Sequence, residues 1–187
     1  GTSPNTADSG RDSCMSARLP RSGAVRLTEP TTEARAQLAT PATVSSMPAE
    51  PTLSDQDLPT TPELRQLYDS VCWAAYTRDP DTLARGLAGS LRAVTARIDG
   101  ALVGLARVVG DGATICYLQD VLVDPAHQHA GIGRLLVEAV YAPFMGVRQH
   151  VLLTDSEPGQ RAFYESLGFT EVHDFPTGLR AFARIQG

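Results

Sequence analysis

The chain has 187 residues, of which 42% are hydrophobic and 20% charged, which is typical of one globular domain with an additional segment and excludes two large domains. No run approaches the roughly 20 apolar residues needed to cross a bilayer, and a net charge of -5 gives no positive field for phosphate backbones, so we expect neither a membrane nor a nucleic acid as partner. The three cysteines form no CxxC pair, so the sequence indicates neither a disulfide framework nor a zinc site, and we expect a cytoplasmic protein without a metal.

The first 50 residues differ sharply in composition from the rest of the chain. They contain no Phe, Tyr or Trp, whereas all eleven aromatic residues lie between Tyr68 and Phe182. The segment is rich in Thr, Ser, Ala, Pro and Gly and balances five acids with five arginines. Such a segment buries too little apolar surface to offset its ordering entropy. We therefore predict a disordered tail over residues 1–50 and one folded domain over residues 51–187.

The folded domain is expected to begin with a short strand and a helix. The strand is predicted within residues 51–57. The helix starts either with Thr61 as cap and Pro62 at its first position, or with Thr60 as cap and Glu63 closing a capping box. Apolar residues that mark one helix face follow at Leu64, Leu67, Tyr68 and Val71.

A second short helix is predicted after Asp79, and three strands come next. Residues 92–98 and 101–109 are strand-like runs separated by Asp99-Gly100, which is a strong signal for a tight hairpin turn. Residues 115–123 form a third run with the same character. The sequence therefore predicts three antiparallel strands in consecutive order.

The remainder of the chain alternates helices and strands. The expected elements are a helix after Gly131 that ends before Pro143, a buried strand at 151–153, a helix at 160–167 closed by Gly168, and strands near 169–173 and 180–185. The predicted fold class is α+β, with a mixed α/β sheet.

A glycine-bearing turn between the third strand and the next helix is the first candidate site. The start of a helix presents free N–H groups and the positive end of the helix dipole to an anion. Gly131 and Gly133 carry no Cβ, so phosphate oxygens could come close to the main chain. A pyrophosphate would fit there, and helix packing is the alternative role for the same glycines.

Two motifs about 30 residues apart resemble those of a known superfamily. The first is Gln128-x-x-Gly131-x-Gly133, and the second combines Phe163-Tyr164 with Gly168-Phe169. Together they are similar to the phosphate motif and the FY-x-x-x-GF signature of the GNAT superfamily of acetyl-CoA-dependent N-acyltransferases. The resemblance extends from Leu64 to the C-terminus.

A closer resemblance is to a bacterial GNAT branch related to plastid enzymes that acetylate arylalkylamines and protein amines. Three stretches carry it, at residues 68–73, 107–112 and 119–123. Cys72 departs from the glycine expected before Trp73. Either the helix end is altered there, or the substitution is neutral.

The resemblance implies a GNAT-type fold, in which a mixed, mostly antiparallel sheet splays at the cofactor strand and is flanked by helices. It implies acetyl-CoA as co-substrate, no metal, and direct attack of a primary amine on the thioester in a ternary complex. The acceptor would be a small-molecule amine or a protein amine. The implied cofactor-binding residues are Val121, Leu122, Val123, Gln128, His129, Ala130, Gly131, Ile132, Gly133, Arg134 and Tyr164.

Catalytic roles follow from the same resemblance. Tyr164 matches the tyrosine that gives a hydrogen bond or a proton to the departing sulfur, which suits a phenol that is protonated at neutral pH. Asp120 is the candidate base, with Asp155 as an alternative, and either carboxylate could instead be structural. The candidate substrate-binding residues are Arg107, Asp111, Trp73 and Asp155. A surface pair is the alternative for Arg107 and Asp111, and a core position is the alternative for Trp73.

A function from a different class stays open at this point. The chain could be a non-catalytic acyl-CoA-binding module that reports cofactor level to a partner, although the presence of Tyr164 favours an enzyme. Exposed edge strands leave a homodimer open as well. The acidic charge balance favours a cationic acceptor.

Overall fold

The computed structural model describes residues 49–185. Nearly all of the predicted tail over residues 1–50 lies outside this part of the chain. The strands are β1 (Thr52–Ser54), β2 (Arg92–Ile98), β3 (Ala101–Gly110), β4 (Ile115–Val123) and β5 (Gln149–Leu152). The α-helices are α1 (Thr61–Ser70), α2 (Ala74–Thr77), α3 (Pro80–Ala88), α4 (Ile132–Tyr141) and α5 (Pro158–Glu165). In residues 49–185, every helix is too short or too polar to span a bilayer.

The five strands form one mixed sheet in the order β1-β2-β3-β4-β5. Neighbours from β1 to β4 are antiparallel, and β5 runs parallel to β4. The hairpin between β2 and β3 turns at Asp99 and Gly100, whose φ angles of 49° and 82° suit the primed turn that matches the twist of a hairpin. The predicted α+β class and the mostly antiparallel sheet are therefore confirmed.

Each face of the sheet is covered by helices. Helix α4 packs against β2, β3 and β4 on one face, in a cluster that includes Val94, Leu118, Leu136 and Val140. Helices α1 and α3 cover the other face, in a cluster that includes Leu64, Leu67, Leu105 and Leu122. The strands between them are consequently buried on both sides.

The beginning of α1 decides between the two predicted caps. The hydroxyl of Thr60 accepts the N–H of Glu63, and the Glu63 carboxylate accepts the N–H of Thr60 over 2.8 Å. This reciprocal pair is a capping box, which satisfies two N–H groups at the helix start. The prediction that used Thr60 is confirmed.

The strands predicted near residues 169–173 and 180–185 are wrong. In the described part of the chain these residues form no strand, and the region contains only a short 3-10 turn at Val172–Asp174. A strand needs a neighbour for its backbone groups, and the edge of β5 away from β4 has no partner among the described residues. Phe182 and Ile185 accordingly stay exposed, at 91% and 86%. Alternating apolar residues predict a strand without showing that a partner is available.

Candidate active site

The sheet opens between β4 and β5. Their pairing ends at Leu118 and Leu152, while β4 continues for five more residues to Val123. On this side, the backbone of residues 121–123 therefore has no neighbouring strand in the described part of the chain. This is the stretch that the sequence predicts to bind the cofactor.

A β-bulge lies at the start of this unpaired stretch. Arg107 pairs with Asp120, but the next residue of β3, Val108, pairs with Leu118, so Gln119 is an extra residue in β4. A bulge of this kind changes which face the following side chains occupy. Leu118 faces the α4 cluster, whereas Asp120 bonds to Tyr68 of the opposite cluster.

The glycine turn after β4 is held in place by local hydrogen bonds. Asp124 accepts the N–H of Ala126 over 2.9 Å, and the side-chain amide of Gln128 donates to the carbonyl of Val123 over 3.0 Å. His129 and Gly131 adopt left-handed φ angles of 63° and 83°. The turn thereby carries the chain from the end of β4 into α4 with a preformed shape.

Gly131 and Gly133, the two glycines of this turn, have different surroundings. A Cβ at Gly131 would meet nothing within 4 Å, so the space in front of the helix start is open. A Cβ at Gly133 would lie 3.5 Å from Phe163 and 3.8 Å from Val123, so Gly133 sits where α4, α5 and β4 meet. Arg134 donates to Ser166 over 2.7 Å, which ties α4 to the end of α5. The open space therefore lies at Gly131, where the first N–H groups of α4 lack intrahelical acceptors.

Tyr164 lies on α5 and packs against the α4 cluster. Its ring centroid is 5.0 Å from that of Phe163 and 6.0 Å from that of Phe169. Its hydroxyl makes no hydrogen bond with another described residue. Burial, and then the charge of Asp155, raise the pKa of Tyr164 to about 12. The phenol therefore keeps its proton at neutral pH and can donate a hydrogen bond.

Asp155 follows β5, in the segment that leads into α5. Its carboxylate accepts the N–H of Glu157 over 3.1 Å, just before α5 begins. The side chain is exposed. The charge of this predicted acceptor-site residue therefore acts on the predicted acid.

Asp120 is buried and forms an ion pair. Its Oδ2 atom accepts the hydroxyl of Tyr68 over 2.7 Å and the Nε–H of Arg107. Its Oδ1 atom is buried without a hydrogen-bond partner among the described residues. Arg107 is only 8% exposed and also donates to the carbonyl of Gly86 over 3.1 Å. The alternative that Arg107 belongs to a surface pair is therefore wrong.

Asp111 lies in the turn between β3 and β4 and is not gathered with the other candidates. Its carboxylate accepts the hydroxyl of Thr114 and the N–H groups of Ala113, Thr114 and Ile115. The Thr114 hydroxyl and these N–H groups hold the pKa of Asp111 far below its usual range. The geometry favours a turn-forming role.

Trp73 belongs to an aromatic cluster that reaches from the surface to the buried carboxylate. Its ring centroid is 6.0 Å from that of Tyr68 and 5.8 Å from that of Tyr76. Trp73 and Tyr76 are partly exposed, while Tyr68 is fully buried. Tyr68 was predicted only as a core residue, because the apolar spacing of a helix carries no signal for a distant hydrogen-bond partner.

One group of exposed side chains in residues 49–185 has the spacing of a metal site. Ligand atoms of Glu171, His173 and Asp174 lie within 4.8 Å of one another. Arg161 forms ion pairs with Glu171 and Asp174 at 2.8 and 2.7 Å. These carboxylates already have a cationic partner, so the cluster gives no argument for a metal.

Comparisons with known proteins agree on one family. A family model described as an acetyltransferase (GNAT) domain matches residues 90–171. A solved GNAT family protein, SP0256 from Streptococcus pneumoniae TIGR4, is 29% identical with a TM-score of 0.64, over 73% of this chain and 98% of that one.

Two further relatives widen the comparison. The rice (Oryza sativa subsp. japonica) protein "Serotonin N-acetyltransferase 2, chloroplastic" is 35% identical over 46% of this chain, and the match spans 42% of the rice protein. The structure of aminoglycoside N-acetyltransferase AAC(6')-Iy in complex with CoA has a TM-score of 0.57 at 19% identity, over 76% of this chain and 99% of that one. At that identity the likeness concerns the fold alone.

Proposed function

Because this chain belongs to the GNAT superfamily of acetyltransferases, we propose that it transfers an acetyl group from acetyl-CoA to a primary amine by direct attack in a ternary complex. One observation carries the proposal. The unpaired edge of β4 leads directly into an open glycine turn at the start of α4, and Tyr164 packs against the same cluster as Val121 and Val123.

The residues present fit acetyl-CoA. In the proposal, the backbone groups of Val121 and the N–H of Val123 bind the pantetheine arm in the manner of an added strand, and the N–H groups of residues 129–134 bind the pyrophosphate. The open space at Gly131 leaves room for phosphate oxygens. Gln128 and Arg134 support this site through the side-chain bonds that hold the turn and α4 in place.

The bound co-substrate supplies an activated acetyl thioester. A protonated amine first releases one proton to solvent, because only the neutral amine has a free electron pair. The amine nitrogen then bonds to the acetyl carbon, the carbon–sulfur bond breaks, the nitrogen loses one more proton and the sulfur gains one. Tyr164 donates the proton to sulfur, and Asp120 accepts the amine proton directly or through a water. A water in the site then passes the proton of Asp120 on to solvent, and solvent returns one to Tyr164. Asp155 is the alternative base because it is an exposed carboxylate after β5 whose charge acts on Tyr164.

The acceptor in this proposal is a cationic small-molecule amine or a protein amine. The folded domain carries the acidic excess of the chain, since the first 50 residues are balanced. Trp73 and Asp155 line the acceptor side, while Arg107 acts through its ion pair with Asp120. The relatives support an amine acceptor, since the rice protein is named for serotonin.

Acetyl-CoA turnover tests the proposal. Free-thiol release should depend on added amine when polyamines, arylalkylamines, amino acids and lysine peptides are supplied in turn. Binding of acetyl-CoA by calorimetry without any amine-dependent thiol release would contradict an enzyme and support an acyl-CoA-binding module.

A matched pair of variants tests the anion site. Gly131→Asp and Gly131→Asn have the same shape, and both residues tolerate left-handed φ, but only Asp adds a negative charge. We expect acetyl-CoA affinity to fall further in the Asp variant, with a difference that shrinks as salt screens the charges. Equal affinities would contradict a pyrophosphate at this turn.

A further inference from the structure

A buried three-residue cluster connects α1 with the bulge of β4. Tyr68, Arg107 and Asp120 come from α1, β3 and β4, and their side chains meet at a single atom, Oδ2 of Asp120. Tyr68 is 0% and Asp120 2% exposed. The cluster is therefore shielded from bulk water, which strengthens its hydrogen bonds.

The two carboxylate oxygens of Asp120 differ in their hydrogen bonding. Both donors bind Oδ2, and Oδ1 has no partner in residues 49–185 although it is buried. A buried acceptor without a donor destabilises a fold by about 1–3 kcal/mol, and by more when the group is charged. A cluster that served stability alone would gain by sharing its donors between both oxygens. The observed arrangement instead holds the carboxylate still and leaves one oxygen free.

We propose that Tyr68 is a positioning residue that orients the Asp120 carboxylate, so that Oδ1 is the oxygen that takes the proton of the amine. This rests on the proposed function. Arg107 fixes the same oxygen from β3 and is itself held by the carbonyl of Gly86. Tyr68 supplies the second donor, and two donors on one oxygen define the rotation of the carboxylate.

The location of Tyr68 explains how it can fulfil this role. The N–H of Trp73 donates to the carbonyl of Tyr68 over 3.0 Å, and the Tyr68 ring packs against Trp73 and Tyr76. The backbone, ring and hydroxyl of Tyr68 are thus each held by a different contact. Burial, and then the charge of Asp120, raise the pKa of Tyr68, so its hydroxyl stays a donor.

A double-mutant cycle tests the inference on turnover. Tyr68→Phe removes the hydroxyl and keeps the ring, and Asp120→Asn keeps the shape of the carboxylate without its charge. We expect Tyr68→Phe to lower kcat about tenfold, which corresponds to about 1.4 kcal/mol in the barrier, with KM for acetyl-CoA unchanged. In the Asp120→Asn background the same change should have no further effect on kcat, because Tyr68 acts only through that carboxylate.

Tyr141→Phe is the matched control. The hydroxyl of Tyr141 is also buried and has no hydrogen-bond partner in the described part of the chain. Its removal should leave kcat unchanged. This control separates the loss of a buried hydroxyl from the loss of the bond to Asp120.

A second variant covers the case in which Tyr68→Phe does not fold. Incorporation of 3-fluorotyrosine at position 68 keeps the ring and the hydroxyl but strengthens the donor, which makes the carboxylate a weaker base. We expect kcat to fall in the otherwise unchanged enzyme and to stay constant in Asp120→Asn.

The possible failures are distinguishable. An active enzyme whose kcat is unaffected by Tyr68→Phe or by fluorination, or whose losses add in the Asp120→Asn background, overturns the positioning role alone. An unchanged chain that releases no thiol with any amine overturns the proposed function and, with it, this role.

Discussion

Helices α1 and α5 each end in the same hydrogen-bonded turn after a tyrosine. The N–H of Trp73 donates to the carbonyl of Tyr68 over 3.0 Å, and that of Phe169 to the carbonyl of Tyr164 over 3.1 Å. Tyr68 is fully buried and its hydroxyl donates to Asp120, whereas Tyr164 is half-buried and its hydroxyl has no such bond in residues 49–185. The depth of burial, rather than the helix end, separates a phenol that holds a carboxylate from one that is available to a substrate.

The two helices also differ in how they are stabilised. Helix α1 has a capping box and buries three residues against the sheet. Helix α5 has no side-chain cap at Glu157 and none of its residues is fully buried. Segments with few buried contacts open at low free energy. We therefore expect α5, on which our proposal places the proton donor, to open at a lower free energy than α1.

The largest expected effect concerns stability. Tyr68→Ala removes a fully buried ring and should lower the free energy of unfolding by about 3–5 kcal/mol. Tyr164→Ala should cost clearly less, since that ring is only half-buried. Denaturant unfolding of both variants measures the difference. Equal losses would remove the distinction between the two helices.

The next effect concerns chemistry. Tyr164→Phe should lower turnover at least about tenfold while acetyl-CoA affinity is kept, because the lost proton donor acts mainly in the transition state. Steady-state kinetics together with calorimetry check this, with Tyr141→Phe as the control. Unchanged turnover, with chemistry shown to be rate-limiting, would assign the proton to water or to another residue.

The turn that ends α5 provides a smaller test. Gly168 has a φ of 89°, and a Cβ there would meet nothing within 4 Å. Gly168→Ala should therefore cost about 1–2 kcal/mol from the backbone alone. Gly86→Ala, within α3 and equally open around its Cβ, should stabilise the protein by about 1 kcal/mol instead. Thermal unfolding measures both changes. If both substitutions raise the melting temperature, or both lower it, this account is contradicted.

The smallest effect is a pH dependence at the start of α1. The Arg97 guanidinium, and then Thr60, lower the pKa of Glu63 from 4.5 to about 2. Since the pKa is depressed in the folded state, the stabilisation is complete above about pH 4.5 and is lost as the pH falls towards 2. Glu63→Gln lacks this contribution. We therefore expect the wild type to be the more stable protein above about pH 4.5, and the two free energies of unfolding to converge as the pH falls towards 2. Denaturant unfolding at a series of pH values measures this difference. A difference that stays constant with pH would refute the assignment of the pH dependence to Glu63.

Local chemistry explains what was predicted well. The capping box at Thr60, the hairpin turn at Asp99-Gly100 and the closing glycine at Gly168 each depend on residues within a few positions of one another. Cys72 is a further example of a conformation that is set by its local position in the chain. It adopts a φ of 61°, the conformation that a glycine would take at that helix end. The hydrogen-bonded turn that ends α1 therefore forms with Cys72 at this position.

The sequence by itself determined the order of the elements from β1 to α5 apart from the short helix α2, the turn into α4 and the motifs that resemble the GNAT superfamily, because these depend on spacing along the chain. Only the tertiary structure decided that the region of the last two predicted strands lacks a partner among the described residues. It also decided that Tyr68 reaches Asp120 across 52 positions and that the bulge at Gln119 turns this carboxylate towards α1. Long-range pairing depends on which groups remain unsatisfied after the sheet has formed, and no local pattern contains that information.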